Sequence, residues 1–253
     1  MYRDRLVHTP VQSDGGRRLQ QHLLAYHDFR LRRRHHPLVD RLALLEQWQA
    51  RRLRESHQDL IADPGYRTGL EFLLSDLYAP SGMTRRDDNI DRVFPKMVKW
   101  LPEQQLDTLA GLVELNLVTQ SLDLALVETL AYHGHGRRFL TPEQYCQGYR
   151  ACGQLDQRRR QIELVSEVGQ QLDRYVRNRT LGWLLAISRG PADMAGLSDL
   201  HAFLQRGYRA FRTMDRVERL IDQLVVRETR VMERIVSGHP APFTISGTTG
   251  EAP

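Results

Sequence analysis

Cysteine, lysine and long apolar runs are what this chain has least of, and each shortage removes a class of protein. Two cysteines in 253 residues exclude a disulfide-stapled scaffold. Cys146 and Cys152 fall on one predicted helix, about 600° of rotation apart, so they face different ways and read as reduced thiols of a cytosolic protein. The longest unbroken apolar stretch, Leu181 to Ile187, is far short of the roughly 20 residues that span a bilayer. Met1 to Gly16 has no apolar core of the kind a secretory signal needs, so the expected location is the cytoplasm, without membrane insertion.

Catalytic and metal signatures are missing as well. None of the ten histidines has Asp or Glu three residues before it, so the Glu-x-x-His pattern of helical di-metal sites is absent. His133-Gly134-His135 falls in a glycine turn, and His35-His36 follows three arginines that repel a cation, so no metal and no cofactor is expected. There is no nucleophile elbow, no phosphate-cradling glycine loop ending in Gly-Lys-Ser/Thr, and no dinucleotide fingerprint after a strand. No catalytic residue is therefore singled out, and an enzyme is the less favoured reading.

What is present is helix. No alternating, β-branched run long enough for a strand occurs. Leu38, Leu42, Leu45, Trp48, Leu53 and Leu60 recur at helical spacing up to the stop at Asp63-Pro64-Gly65. Further helices are expected over 66–78, over 84–100 with Thr84 and Asp87 as a capping box, and from Pro102 to His133. The last of these is the most hydrophobic and carries one polar stripe, Asp107, Glu114, Ser121 and Glu128, expected to lie near water. Thr141-Pro142-Glu143-Gln144 has the form of a helix N-terminus with a capping box. A long helix from Gln154 to about Ser188 and a final pair from Ser198 to Ser237 complete the pattern. The fold class is all-α, a single bundle of seven to nine helices. Residues 1–16 read as a flexible lead, 17–238 as the helical domain with 17–36 its basic first helix, and 239–253 as a disordered tail.

The net charge of +5 is unevenly spread: residues 1–57 hold 12 Arg against 6 acidic groups, and the rest of the chain is close to neutral. Of 36 basic residues only Lys96 and Lys99 are lysine. Arg17, Arg18, Arg30, Arg32, Arg33 and Arg34, with Tyr26 and Phe29 between them, form a candidate nucleic-acid surface; the alternative is a solvated helix end whose aromatics join the core. Arg158-Arg159-Arg160 opens a helix where cations oppose its dipole, a conflict that Asp156 and Glu163 can relieve.

The second candidate is the turn between the helices over 66–78 and 84–100. Asp76 falls on the apolar side of its helix, four residues after Phe72, and a carboxylate there needs a partner. Arg85 or Arg86 across the turn can supply one, either as an Asp–Arg clasp or, with Tyr78 and Asp87, as a small anion or partner pocket. The run Glu71-Phe72-Leu73-Leu74-Ser75-Asp76-Leu77-Tyr78, then Arg85-Arg86-Asp87 and Phe94-Pro95-Lys96-Met97, resembles an uncharacterised family of proteobacterial helical proteins. Its hallmark is an aromatic-Leu-x-Asp-Leu-Tyr-Gly stretch, and Ala79 stands here in place of the Gly. The resemblance runs from about Leu42 to Gly238 and implies a single helical domain in a bacterial cytosol, with no activity attached. Taken together, the expectation is a regulatory or interaction module with a protein partner, then nucleic-acid binding through the arginine helix, then a receptor or enzyme for a small anion near Tyr78.

Overall fold

The structure, a computed structural model, describes residues 2–77, 83–134, 139–177, 182, 189–190, 198–214 and 216–244; the side chains at 2, 76–77, 83–91 and 200 lie outside that description. Within it the chain is all-α, with no strand among the described residues. The helices are α1 (Tyr2–His8), α2 (Asp14–Arg34), α3 (Val39–Ser56), α4 (Gln58–Ala62), α5 (Pro64–Phe72), α6 (Met83–Trp100), α7 (Glu103–Tyr132), α8 (Pro142–Cys152), α9 (Leu155–Val176), α10 (Ser198–Arg212) and α11 (Val217–Val236), with a π-helical turn over Leu73–Leu77.

Eleven α-helices among the described residues exceed the expected seven to nine, for local reasons. The helix expected to run from Leu38 to Ala62 breaks at His57, whose backbone N–H and ring Nδ1 both bond the Leu53 carbonyl, at 3.1 and 2.8 Å. Asp63-Pro64 then starts α5 rather than merely stopping α4: Asp63 accepts from the Gly65 N–H at 2.8 Å and Pro64 takes the first turn. The supposed flexible lead contains α1, held because Leu6 is fully buried and Arg3 pairs with Asp28 on α2 at 2.9 Å. Only residues 245–253 of the supposed disordered tail lie outside the description; Phe243 packs edge-on against Trp48 and Tyr145. Helix α6 opens at Met83, so Thr84 lies inside it rather than capping it. The capping box at Thr141 is formed in both directions, at 3.3 Å each.

Helix α7, about 45 Å long, is the axis. Its N-terminal half joins α1, α2 and α6 in one core of Leu6, Leu19, Leu23, Phe94, Leu106 and Ala110. Its C-terminal half joins α3, α8 and α11 in a second, through Leu42, Leu45, Leu126, Leu130, Tyr145 and Val231. A third core, of Leu70, Phe72, Phe211, Val217 and Leu220, lies among α5, α10 and α11. So three cores connected by the long helices α3, α7 and α11 replace the one expected bundle core. By length and composition alone α7 would cross a membrane, with a mean hydropathy of 1.3 in its most apolar window; here α2, α3, α8 and α9 pack around it.

The broadest contact is between α2 and α7, which run parallel: Gly15 meets Glu103, Arg18 meets Asp107 and Arg33 meets Gln120. Close approach begins at Gly15, where a Cβ would stand 3.0 Å from the Glu103 carbonyl oxygen.

Candidate functional site

An open groove runs beside α3. Its lining from this helix is Arg41, Leu44, Leu45, Gln47, Trp48 and Arg51, continuing through Arg52, Glu55 and Ser56. At 100° per residue Arg41, Leu44, Leu45, Trp48, Arg51 and Glu55 share one face about 120° wide, extending about 21 Å along the axis. The opposite wall is Val127 and Leu130 of α7, the segment Phe139–Leu140, Pro142, and Phe243–Thr244. The half nearer Arg41 encloses about 140 Å³. Trp48 sits where the two halves meet, stacked on Tyr145 with ring centres 4.3 Å apart. Leu44 and Phe139 stay exposed, at 43% and 86%. Arg41 and Arg51 form no ion pair or hydrogen bond among the described residues, whereas Arg52 is tied to Glu228 of α11 at 2.6 and 2.7 Å.

Behind α3 lies a polar cluster inside the protein. Arg33 of α2 donates to Glu46 of α3 at 2.5 Å and to the side-chain oxygen of Gln120 on α7. Gln120 in turn donates to the Tyr26 hydroxyl and to Asn116, both at 2.9 Å. Gln49 donates to Asp123 at 2.9 Å, and Arg158 of α9 lies 4.0 Å over the Tyr149 ring. Burial pushes the Glu46 carboxyl up to about 7, outweighing the attraction of Arg33, and the neighbouring Asp123 charge raises it further. Asp123, buried, is also raised, by burial first, against the Gln49 hydrogen bond and the charges of Arg158 and Arg33. Glu46 Oε2 and Arg158 Nη2 are buried without a hydrogen-bond partner. Such a cluster is costly and directional, and it fixes how α2, α3, α7 and α9 meet.

A second clasp joins α4 to α11, where Arg227 grips Asp59 with two hydrogen bonds of 2.7 and 2.6 Å and holds its carboxyl below the usual range. His57 must carry its proton on Nδ1, because the Leu53 carbonyl can only accept. Its Nε2 is buried 3.8 Å from Glu228, and burial lowers its pKa.

The sequence candidates fare unevenly. Tyr78 and the side chains of Asp76, Arg85, Arg86 and Asp87 lie outside the described residues, so neither the clasp nor the pocket is on view. Of the six candidate arginines, all on α2, four are engaged within the protein. Arg17 pairs with Asp14, Arg18 with Asp107 and Glu114, and Arg33 with Glu46 and Gln120, while Arg30 lies 5.1 Å over the Tyr26 ring. Arg32 and Arg34 remain exposed. The polar stripe of α7 is partly exposed, with Asp107 37% and Glu128 53% open, and it also meets basic groups of α2, α9 and the turn after α2. Asp107 takes Arg18 at 3.1 Å, Glu114 takes Arg160 at 3.1 Å with His22 at 3.6 Å, and Glu128 accepts from His36 at 3.1 Å. Burial lowers the His22 pKa despite Glu114, so Arg18 and Arg160 carry the charge there. The interior cluster has a signal in the sequence, since Asp123 lies about 200° around α7 from Ser121; Leu44 falls outside the Leu38–Leu42–Leu45 face, but that alone does not define a groove.

With these features placed, a family model of a domain of unknown function, DUF8198, matches residues 28–242. The chain belongs to that family. The DUF8198 span includes the groove except Phe243 and Thr244 and the interior cluster from Arg33 to Arg158, and it leaves out α1 and the start of α2 with Arg17 and Arg18. The extent inferred from the sequence resemblance, Leu42 to Gly238, lies inside it. No curated protein and no solved structure matches the chain.

Proposed function

We propose that this DUF8198 protein is a non-enzymatic interaction module of the bacterial cytosol that docks a protein partner along the exposed face of α3. The observation that carries the reading is the groove: exposed Leu44 and half-buried Trp48 lie on a helix face that extends about 21 Å from Arg41 to Glu55, and the opposite wall, with exposed Phe139, is already in place. An apolar surface of this form, edged by polar groups, is how docking sites differ from scattered surface leucines. The interior cluster supports it by fixing α3 against α2 and α7, so the docking face is held rigid before a partner arrives. The unbridged thiols Cys146 and Cys152 suit a reducing compartment.

Photo-crosslinking in the native host tests the reading. A benzophenone amino acid at Leu44 or at Phe139 is expected to give the same discrete adduct, and one at exposed Leu204 on α10 to give none. Equal labelling at all three positions, or at none, would overturn it.

Nucleic-acid binding is the second reading, and Arg32 and Arg34, exposed at the end of α2, favour it. It predicts salt-sensitive retention of a duplex that the double substitution Arg32→Glu/Arg34→Glu abolishes; unchanged retention would remove it.

A further inference from the structure

We propose that the occupant of the α3 groove is an acidic protein segment carrying apolar anchors. This rests on the docking reading above and names the partner's chemistry. The groove supplies two kinds of contact and little else. Leu44, Leu45, Val127, Leu130 and Leu140 with the Trp48 ring make an apolar floor, and Arg41 and Arg51 stand toward its two ends. In the half they line there is no carboxylate among the described residues; Glu55 enters only in the outer half, beside Arg52, whose charge Glu228 already meets. The nearby acids are diverted or off the face: Glu128 takes His36, and Asp40 is not part of the lining.

Arg18, Arg33, Arg52, Arg160 and Arg227 all meet carboxylates within 3.1 Å. Arg41 and Arg51, like exposed Arg32 and Arg34, bind no carboxylate among the described residues. What sets Arg41 and Arg51 apart is that they border an apolar floor, over which an uncompensated field of one sign selects a partner of the opposite sign. They are ten positions apart, about 15 Å along the axis, the span of four or five extended residues or about three helical turns. A segment with Asp or Glu at that separation and Leu, Ile or Phe between satisfies both features. Trp48 is already stacked on Tyr145 and meets the edge of Phe243, so Phe139 alone is left open in the groove as an aromatic platform for a base, which sets nucleic acid behind protein as the occupant.

A random 12-mer peptide library displayed on phage and selected against the full-length protein provides the test, with three variants altered only at partly or fully exposed positions. Enriched peptides are expected to be net acidic with at least two apolar anchors. As synthetic peptides they should lose about tenfold or more in affinity against Arg41→Glu/Arg51→Glu, and a similar factor against Leu44→Lys. Arg32→Glu/Arg34→Glu should leave them unaffected, with unchanged far-UV circular dichroism for all three. Peptides that lose binding to Leu44→Lys but tolerate the double charge reversal would sink the acidic segment while keeping the groove as the docking site. Peptides indifferent to both would sink the docking reading as well. No enrichment overturns the proposal too. So does a single-stranded oligonucleotide that binds more tightly than the peptides and is lost on the Arg41/Arg51 reversal. A dimer that Leu44→Lys dissociates makes a second copy the occupant and is equally fatal.

Discussion

Arg18 and Arg33 sit on the same helix, each facing a carboxylate, yet they live in different solvents. Arg18 and Asp107 are 50% and 37% exposed, with water on one side of their 3.1 Å contact. Arg33 and Glu46 are 22% and 12% exposed, and at 2.5 Å the contact is shorter. The shorter contact belongs to the less comfortable carboxyl: Glu46 is pushed up to about 7, so near neutral pH it is close to surrendering its charge although an arginine touches it. An exposed pair gains little and loses little, with a median of about 0–1 kcal/mol. A buried pair pays desolvation on both sides and is worth keeping chiefly because losing one member is worse. Helix α2 is therefore tolerant of change at its start, against α7, and exacting at its end, against α3.

The largest way to break that asymmetry is Arg33→Ala. It strands Glu46 and removes a donor to Gln120, and urea unfolding at pH 8 should show a loss of about 3–5 kcal/mol. At pH 5.5 Glu46 holds a proton, so the loss should be visibly smaller; equal losses at both pH values would mean that the arginine acts through packing alone. Next comes Glu46→Gln. The folded-state value near 7 lies above the ordinary 4.5, so between those limits the folded protein holds a proton that the unfolded chain releases. The stability this contributes is fully present below about pH 4.5 and is lost as pH rises through about 7, a change of about 3 kcal/mol. The difference in unfolding free energy between wild type and Glu46→Gln should track that curve, and a difference independent of pH would refute it. The smallest effect is Arg18→Ala, expected to cost less than about 1 kcal/mol and to vanish in 0.5–1 M salt, where the Debye length falls to roughly 3–4 Å. A salt-resistant loss matching that of Arg33→Ala would erase the distinction between the two ends.

Helical class was legible because periodicity is a property of one segment at a time. The leucines of α3 and α7 and the capping box at Thr141 all announce themselves within a few turns. What one segment cannot show is its neighbour. The stripe Asp107, Glu114, Ser121, Glu128 was visible as a stripe, but nothing local says that a basic helix about 90 residues earlier will lie along it. The same gap made the N-terminal charge look like a detachable surface: Arg18 and Arg33 read as free cations until α7 is placed beside them. Leu6 and Phe243 lie in short segments with too few apolar residues to show a helical period, and burial of single anchors leaves nothing periodic to detect. Asp123 was the readable miss, a charge on the apolar side of the most hydrophobic helix. The groove was out of reach, since its second wall comes from three separate stretches of chain.

The parallel pairing of α2 with α7 also sets a timetable. Arg18 meets Asp107 across 89 residues, and two helices side by side in the same direction cannot be joined by a tight turn. At synthesis rates of about 5–20 residues per second, α2 leaves the ribosome roughly 5–20 seconds before its partner exists. During that interval Leu19, Leu23, Tyr26 and Phe29, all buried in the finished protein, have no α7 to cover them. The arginines that flank them, Arg17 and Arg18 before and Arg30, Arg32, Arg33 and Arg34 after, give the unpartnered helix a net positive charge, which favours solubility until the carboxylate stripe arrives.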